Sequence, residues 1–198
     1  ELGFKVTTSS LDNDVLVRRL VEDVWTVDPD FTSQSALSEQ ISAVYASTIW
    51  RPGKQWQVNA GLRYEYSHTA INTPTTKNLV NRKYGYLFPS FFLTRDIDTE
   101  KNIQLSYSRR ITRPTFNDMA PYVFFWGPNT FSGGNTSLLP AIGDAIKAGY
   151  QDKQWIISLQ FTHAKNEINS YQPEVGDDSN SLIYRSQNLD FLNTLGMT

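Results

Sequence analysis

The chain of 198 residues contains no cysteine, which excludes disulfide frameworks, thiolate metal sites and cysteine nucleophiles. It also has no run of about 18 apolar residues. Together with a mean hydropathy of −0.42, this excludes a bundle of membrane-spanning helices. The net charge of −2 gives none of the positive excess that binding to nucleic acid requires. The chain therefore either buries an ordinary core or meets its surroundings mainly through strands.

A strict alternation of residue types runs from Gln55 to Ser67. The even positions are apolar and the odd positions are polar or glycine, which indicates a strand with two different faces. Trp56 to Tyr66 spans roughly 33 Å at about 3.3 Å per residue. Tilted by about 40°, this length gives the apolar height of about 25 Å found on outer-membrane barrels. Because Trp and Tyr stand at its two ends, the segment is predicted to cross a membrane.

The same alternation recurs along the chain and predicts an all-β, antiparallel meander of about eight strands. Its apolar positions include Ile103, Leu105, Tyr107 and Ile111; Trp155, Ile157, Leu159 and Phe161; Leu189, Phe191, Leu195 and Met197; and a weaker set of Leu37, Ile41, Ala43, Tyr45 and Ile49. The predicted strands are 1–9, 35–50, 54–68, 84–96, 100–112, 141–151, 153–168 and 182–198, with a possible short strand at 15–21. Pro89 lies within one of them and is expected to mark a bulge.

Short and long connections alternate between these strands. Pro-Gly and Asp-rich turns lie near residues 51–54, 96–101 and 151–153, whereas long polar segments occupy 10–34, 68–83, 113–140 and 169–181. Outer-membrane barrels have this arrangement, with short periplasmic turns and long extracellular loops. Two alternatives stay open: a small closed eight-strand barrel, and a soluble, aromatic-rich β-sandwich that binds carbohydrate.

The segment from Tyr107 to Tyr122 resembles a motif of the TonB-dependent-receptor-like outer-membrane β-barrel family of Bacteroidetes. That family typically has tyrosine-serine-arginine-arginine-isoleucine, then arginine-proline and an aromatic residue. Further matches are Gly134-Asn135, Leu138 and Pro140, the strand segment Leu87-Phe88-Pro89-Ser90, and the segment Gly61-Leu62-Arg63-Tyr64-Glu65.

The resemblance implies a barrel wall that belongs to a larger importer. Such receptors have about 22 strands and an N-terminal plug domain, and no plug-like segment or signal peptide is evident here. Residues 1–198 are therefore expected to form one barrel unit in a bacterial outer membrane. The implied partners are outer-membrane lipid, a plug and further strands of the same parent protein, TonB-type energy coupling through that plug, and a small nutrient ligand.

No motif predicts catalysis, a metal site or a cofactor. His68 and His163 stand alone, without a serine or carboxylate at catalytic spacing. Asp12-Asn13-Asp14 and Asp177-Asp178 do not continue as calcium loops, since no distal glutamate follows. The chain is not expected to be an enzyme.

Two groups of residues are candidates for functional contacts. Arg63, Glu65 and Arg110 have the polar parity of their strands and are predicted to face the lumen, where they contact a plug or ligand or form a charge network. Tyr122, Phe124, Phe125 and Trp126 lie in the long segment 113–140. They are predicted either to stack on a ligand such as a sugar or siderophore, or to pack that loop onto its neighbours.

Overall fold

Long strands make up most of the computed structural model, which describes residues 1–176 and 180–198. In chain order the elements are β1 (Leu2–Val15), β2 (Arg18–Val21), β3 (Val24–Val27), β4 (Ser33–Trp50), β5 (Trp56–Asn72), β6 (Val80–Asp96), β7 (Lys101–Thr112), α1 (Phe116–Met119), β8 (Val123–Gly127), β9 (Thr130–Gly133), β10 (Ala141–Asp152), β11 (Trp155–Val175) and β12 (Leu182–Met197).

One open sheet contains ten of these strands, in the order β1-β4-β5-β6-β7-β10-β11-β12-β9-β8. The first eight form an antiparallel meander that we call the wall, as the alternation predicted. The hairpin β8–β9 extends the sheet at one end, where β9 pairs in parallel with β12. The remaining two strands form the separate hairpin β2–β3. The sheet neither closes on itself nor faces a second large sheet, so neither the small closed barrel nor the sandwich describes it.

The wall has two distinct faces. On β5, the alternation places Leu62 and Tyr64 on one face, which we call the outer face, and Glu65, Ser67 and Ile71 on the opposite, inner face. Pairing with β4 and β6 is continuous along this strand, so the prediction of facing from parity holds. The inner face is covered near the long loops and is where buried residues concentrate, whereas Leu62 is 50% exposed.

The apolar parity of β4 lies on the inner face. Tyr45 is paired with Arg63 and Ala43 with Glu65, and cross-strand partners share a face. Leu37, further along the same parity, packs against the buried cluster described below. The apolar series from Leu37 to Ile49 therefore resembles an outward, lipid-type pattern only in period; part of it lines an interior that the strand's own sequence does not reveal.

Several predicted connections contain regular structure. The segment 10–34 holds the end of β1 and the hairpin β2–β3, and the segment 113–140 holds α1 and the hairpin β8–β9. The prediction of bare loops was wrong there because these elements are four or five residues long and too short to show a period. The expected bulge at Pro89 was also wrong. Its pairing with Leu62 is regular. The ladder between β6 and β7 instead begins one residue later, at Ser90, beyond the position that has no N–H to donate.

A small hydrophobic core lies on the inner face at the loop end of the wall. Ile71 and Val80 from the strands meet Met119 and Leu138 from the segment 113–140, and all four are nearly inaccessible to solvent. This core holds a long connection against the sheet. Within the described residues, no helix has the length and apolar character needed to cross a bilayer.

Candidate functional site

The segment of residues 113–140, here called the inner loop segment, is fastened to the inner face by two arginines. Arg113 donates from Nη2 to Glu65 Oε2 at 2.7 Å and to Ser67 Oγ at 2.8 Å. Arg82 on β6 donates to the carbonyl oxygen of Thr136 at 2.5 Å. The side chains of Arg113 and Glu65 are only 20% and 12% exposed, so these charge-assisted bonds are largely shielded from water.

A capping box begins the short helix α1. The Thr115 hydroxyl accepts from the backbone N–H of Asp118, and the Asp118 carboxylate accepts from the N–H of Thr115. The Ser186 hydroxyl of β12 donates to the same carboxylate at 2.9 Å. Partial burial favours the neutral acid, but the hydrogen bonds from Thr115 and Ser186 outweigh it and hold the pKa of Asp118 below its ordinary value. Asp118 thus connects the loop to the far strand of the wall.

The motif residues Gly134 and Asn135 form a second connection. A Cβ at Gly134 would collide with the backbone N and O of Ala120, so only glycine fits there. The N–H of Asn135 donates to the carbonyl oxygen of Asp118 at 2.6 Å, and its side-chain amide donates to the carbonyl oxygen of Ser186 at 3.1 Å. The motif that carries the family resemblance therefore builds and anchors the inner loop segment.

The four aromatic candidates of this segment divide between two places. Tyr122, Phe124 and Trp126 line one cavity. The rings of Tyr122 and Phe124 meet edge to face with centroids 4.8 Å apart. Phe125, which follows Phe124 on β8, instead packs against Phe131 at 6.0 Å. Because successive residues of a strand point to opposite sides, the prediction that all four act together does not describe this arrangement.

Two tyrosines from the ends of neighbouring strands complete the aromatic lining. Trp126 lies 5.7 Å, centroid to centroid, from both Tyr171 of β11 and Tyr184 of β12. Tyr171 follows an irregularity in the pairing of β11 with β12, between Asn169 and Gln172, and its φ is +58°. Sequence reasoning missed both tyrosines, since neither a motif nor proximity in sequence connects them to Trp126.

The cavity that these groups enclose has a volume of about 340 Å³. This is near the lower limit for small-molecule pockets. It is lined by Asn117, Asp118, Tyr122, Phe124, Trp126, Ser132, Gly133, Gly134, Ser170, Tyr171, Tyr184, Arg185 and Ser186. The Tyr122 hydroxyl contacts Asn117 Oδ1 at 3.3 Å, and burial raises the pKa of Tyr122. The Arg185 guanidinium forms an ion pair with Glu174 at 3.1 Å.

Arg63, Glu65 and Arg110 occupy the inner face, away from this cavity. Glu65 receives both Arg63 Nε at 3.0 Å and Arg113 Nη2 at 2.7 Å, and Arg63 lies over the ring of Phe88. Arg110 lies on the inner face of β7 and remains exposed. Glu65 and Arg63 thus belong to a structural charge network, whereas Arg110 forms no ion pair among the described residues.

The histidines and acidic pairs do not assemble a reactive centre within residues 1–176 and 180–198. His68 contacts Asn81 at 3.0 Å and His163 contacts Asn193 at 2.7 Å, both on the outer face. No group of three metal-ligating side chains occurs in the described chain. Asp12 and Asp14 lie on β1, and Asp177-Asp178 lie outside the described residues.

A long-stranded open wall with loops folded onto its inner face is the architecture of part of a large transmembrane β-barrel. The whole chain, residues 1–198, matches the outer membrane protein beta-barrel family, and the protein belongs to that family. Its location is therefore the bacterial outer membrane. A comparison with curated protein sequences found no match.

Solved structures show the same fold. The copper transporter OprC is similar over 98% of this chain, with 12% sequence identity and a TM-score of 0.57. The siderophore receptor PirA from Pseudomonas aeruginosa matches over 98% with 10% identity and a TM-score of 0.48. PirA from Acinetobacter baumannii matches over 99% with 12% identity and a TM-score of 0.44. The chain covers 32%, 46% and 39% of these three proteins, less than half of each.

Proposed function

We propose that this chain is one segment of an energy-coupled outer-membrane importer, and that it supplies wall strands and extracellular loops without catalysing a reaction. On this proposal residues 1–198 form a single barrel unit, and Tyr107–Tyr122 marks a receptor of the Bacteroidetes type. The observation that carries the proposal is the inner loop segment. It lies on the inner face and surrounds an aromatic cavity at the loop end, where a solute entering a barrel first meets the protein.

The edges and faces of the wall define the proposed partners. Among the described residues, β1 pairs only with β4, and β12 pairs beyond Tyr184 only with β11. Unpaired edges of long strands favour further strand pairing, so additional strands of the parent protein are proposed to close the barrel. The outer face meets outer-membrane lipid, and exposed inner-face groups such as Arg110 meet a plug domain through which TonB-type coupling acts.

The importer proposal is tested in cells that carry the parent gene. A strain lacking the gene is compared with a complemented strain on media that each supply one nutrient, and the nutrient that requires the gene is then supplied in labelled form. Its uptake is expected to stop when the proton-motive force is dissipated. Uptake that continues unchanged would show a passive pore and contradict energy coupling.

The role of the cavity is tested by chemical blocking in the same strain. The chain has no cysteine, so Trp126→Cys introduces its only thiol. A bulky maleimide at this position is expected to reduce uptake at least tenfold. The control is Glu22→Cys at the turn between β2 and β3, where the same label is expected to leave uptake unchanged. Equal uptake by the two labelled variants would contradict a ligand site in this cavity.

A further inference from the structure

We infer that the loop cavity binds a neutral sugar unit, which stacks on a platform formed by Trp126, Tyr171 and Tyr184. The inference rests on the proposed function, because it takes this cavity as the ligand site of the importer. It adds the chemical class of the ligand, and three features of the cavity support it.

The first feature is open aromatic surface. Trp126 is 56% exposed and Tyr171 is 62% exposed, although their rings stack on each other. A ring cluster that served only to pack the loop would bury these faces, as Phe31 and Phe131 do on the other side of the hairpin. Aromatic faces carry negative partial charge and attract the weakly positive C–H faces of a sugar ring.

The second feature is the backbone at Tyr171. Its φ of +58° is a conformation that bulky residues rarely adopt, and the adjacent irregularity in pairing turns this position out of the regular alternation. Glycine or asparagine would satisfy the backbone at lower cost. A tyrosine held in this conformation next to Trp126 is therefore best explained by a requirement for its ring.

The third feature is the neutralisation of charge around the cavity. The Arg185 guanidinium is paired with Glu174, whose other oxygen accepts from Gln187 at 2.6 Å. The Asp118 carboxylate accepts from Thr115 and Ser186. No unpaired charge among the lining residues is left to select an anionic or cationic ligand.

Neutral polar groups remain available in the same cavity. The hydroxyls of Ser132 and Ser170 line it and have no side-chain hydrogen bond within the described part of the chain. They suit the hydroxyl groups of a sugar, which donate and accept in equal measure. Stacking surface together with uncharged hydrogen-bonding groups distinguishes this cavity from one built for a charged chelate, which would present free arginine or lysine.

The ligand class is tested with the intact parent receptor in detergent on an array of neutral oligosaccharides, with sulfated and sialylated oligosaccharides beside them. Binding is expected to neutral structures, and labelling Trp126→Cys with maleimide is expected to abolish it. Binding confined to the charged sugars, or to none of the sugars, overturns the inference. An anionic nutrient imported in an energy-dependent manner would likewise overturn it, while leaving the importer proposal intact.

Variants at Tyr171 separate a ligand contact from a structural role. Tyr171→Gly is expected to weaken binding of the best neutral oligosaccharide at least tenfold while the midpoint of thermal unfolding stays the same or rises, because glycine relieves the unfavourable φ. Tyr171→Phe retains the ring and is expected to bind within about threefold of the parent protein. A Tyr171→Gly variant that binds normally, or that loses binding only together with stability, would contradict the platform.

Discussion

The loop-end half and the turn-end half of the wall differ in what surrounds them. At the loop end, the inner loop segment covers Ser67 and Ile71, and both are fully buried. At the turn end, Trp155 is 77% exposed and Met197 is 81% exposed. A single sheet has no interior of its own, so burial requires a covering layer. The chain supplies that layer at its loop end, and we propose that lipid and the rest of the barrel supply it at the turn end.

A row of polar residues on the outer face marks the boundary between these halves on four strands. Arg109, Asp144, His163 and Asn193 are successive cross-strand partners on β7, β10, β11 and β12. Arg109 contacts Asp144 through two nitrogens, at 2.8 and 3.1 Å. From this row to the turns, the outer positions of β11 are the apolar Phe161, Leu159, Ile157 and Trp155. The outer face thus changes character at one level.

The largest expected effect comes from opening the core of the loop-end half. Leu138→Ala removes a fully buried side chain from the cluster with Ile71 and Met119, so unfolding of the inner loop segment is expected to become easier by about 2–5 kcal/mol. The adjacent Leu139 is 47% exposed, and Leu139→Ala is the control. The measurement is urea unfolding followed by Trp126 fluorescence. Equal losses in the two variants would show that no separate core exists there.

The next effect tests the outer face of the turn-end half. Leu62→Arg is expected to destabilise the membrane-inserted parent barrel by roughly 2–4 kcal/mol, because it places a charge on the proposed lipid-facing side near mid-bilayer. Arg63→Ala changes the neighbouring inner position and is expected to leave insertion almost unaffected. Equilibrium folding into lipid vesicles measures both variants. A larger loss for Arg63→Ala would reverse the assignment of the faces.

A pair of glycines compares the covered loop with the open wall. Gly134→Ala would push a methyl group into the backbone of Ala120, so a loss of about 1–3 kcal/mol is expected. Gly143 on β10 has no atom within 4 Å of the position that a methyl group would occupy, and Gly143→Ala is expected to change stability by no more than about 0.5 kcal/mol. Thermal unfolding of the parent barrel distinguishes them. Tolerance of alanine at position 134 would mean that the loop does not approach α1 this closely.

The smallest expected effect is the dependence of the inner loop segment on pH. The pKa of Asp118 is lowered in the folded protein, so its contribution is complete above the ordinary value of 3.8 and is lost as the pH falls through the lower folded value. Asp118→Asn should cost about 0.5–2 kcal/mol near neutral pH and remove this acid dependence. Hydrogen-exchange protection of α1 is the measurement, and Asp98→Asn in an exposed turn is the control. An unchanged acid limb in Asp118→Asn would show that another group titrates.

The strands of the wall could be predicted because they carry their own signal. All eight were expected from the alternation, and β5, β7 and β10 begin and end within about four residues of the predicted positions. Period two is a local property that survives wherever one side of a strand is apolar. β4 shows its limit. Alternation reports that the two faces differ, but it does not say which face is covered by protein.

The aromatic candidates show the same division. Tyr122, Phe124 and Trp126 attracted attention because they are clustered in sequence, and they do line one cavity. Tyr171 and Tyr184 were missed because they reach that cavity from β11 and β12, more than 40 residues along the chain. Phe125 was grouped with its neighbours because nothing in the sequence showed that residues 123–127 form a strand, in which adjacent side chains diverge.

The sequence by itself determined that this protein is a wall of long antiparallel strands with alternating turns and loops, since strand period and turn chemistry are local. The family motif could likewise be read from consecutive residues. Only the tertiary structure decided that the inner loop segment lies on the inner face, that Arg113 reaches Glu65 across 48 positions, and that Tyr171 and Tyr184 join Trp126. These contacts depend on strand register and on the path of a loop across several strands. Both are fixed by packing and pairing between distant residues, for which no local pattern exists.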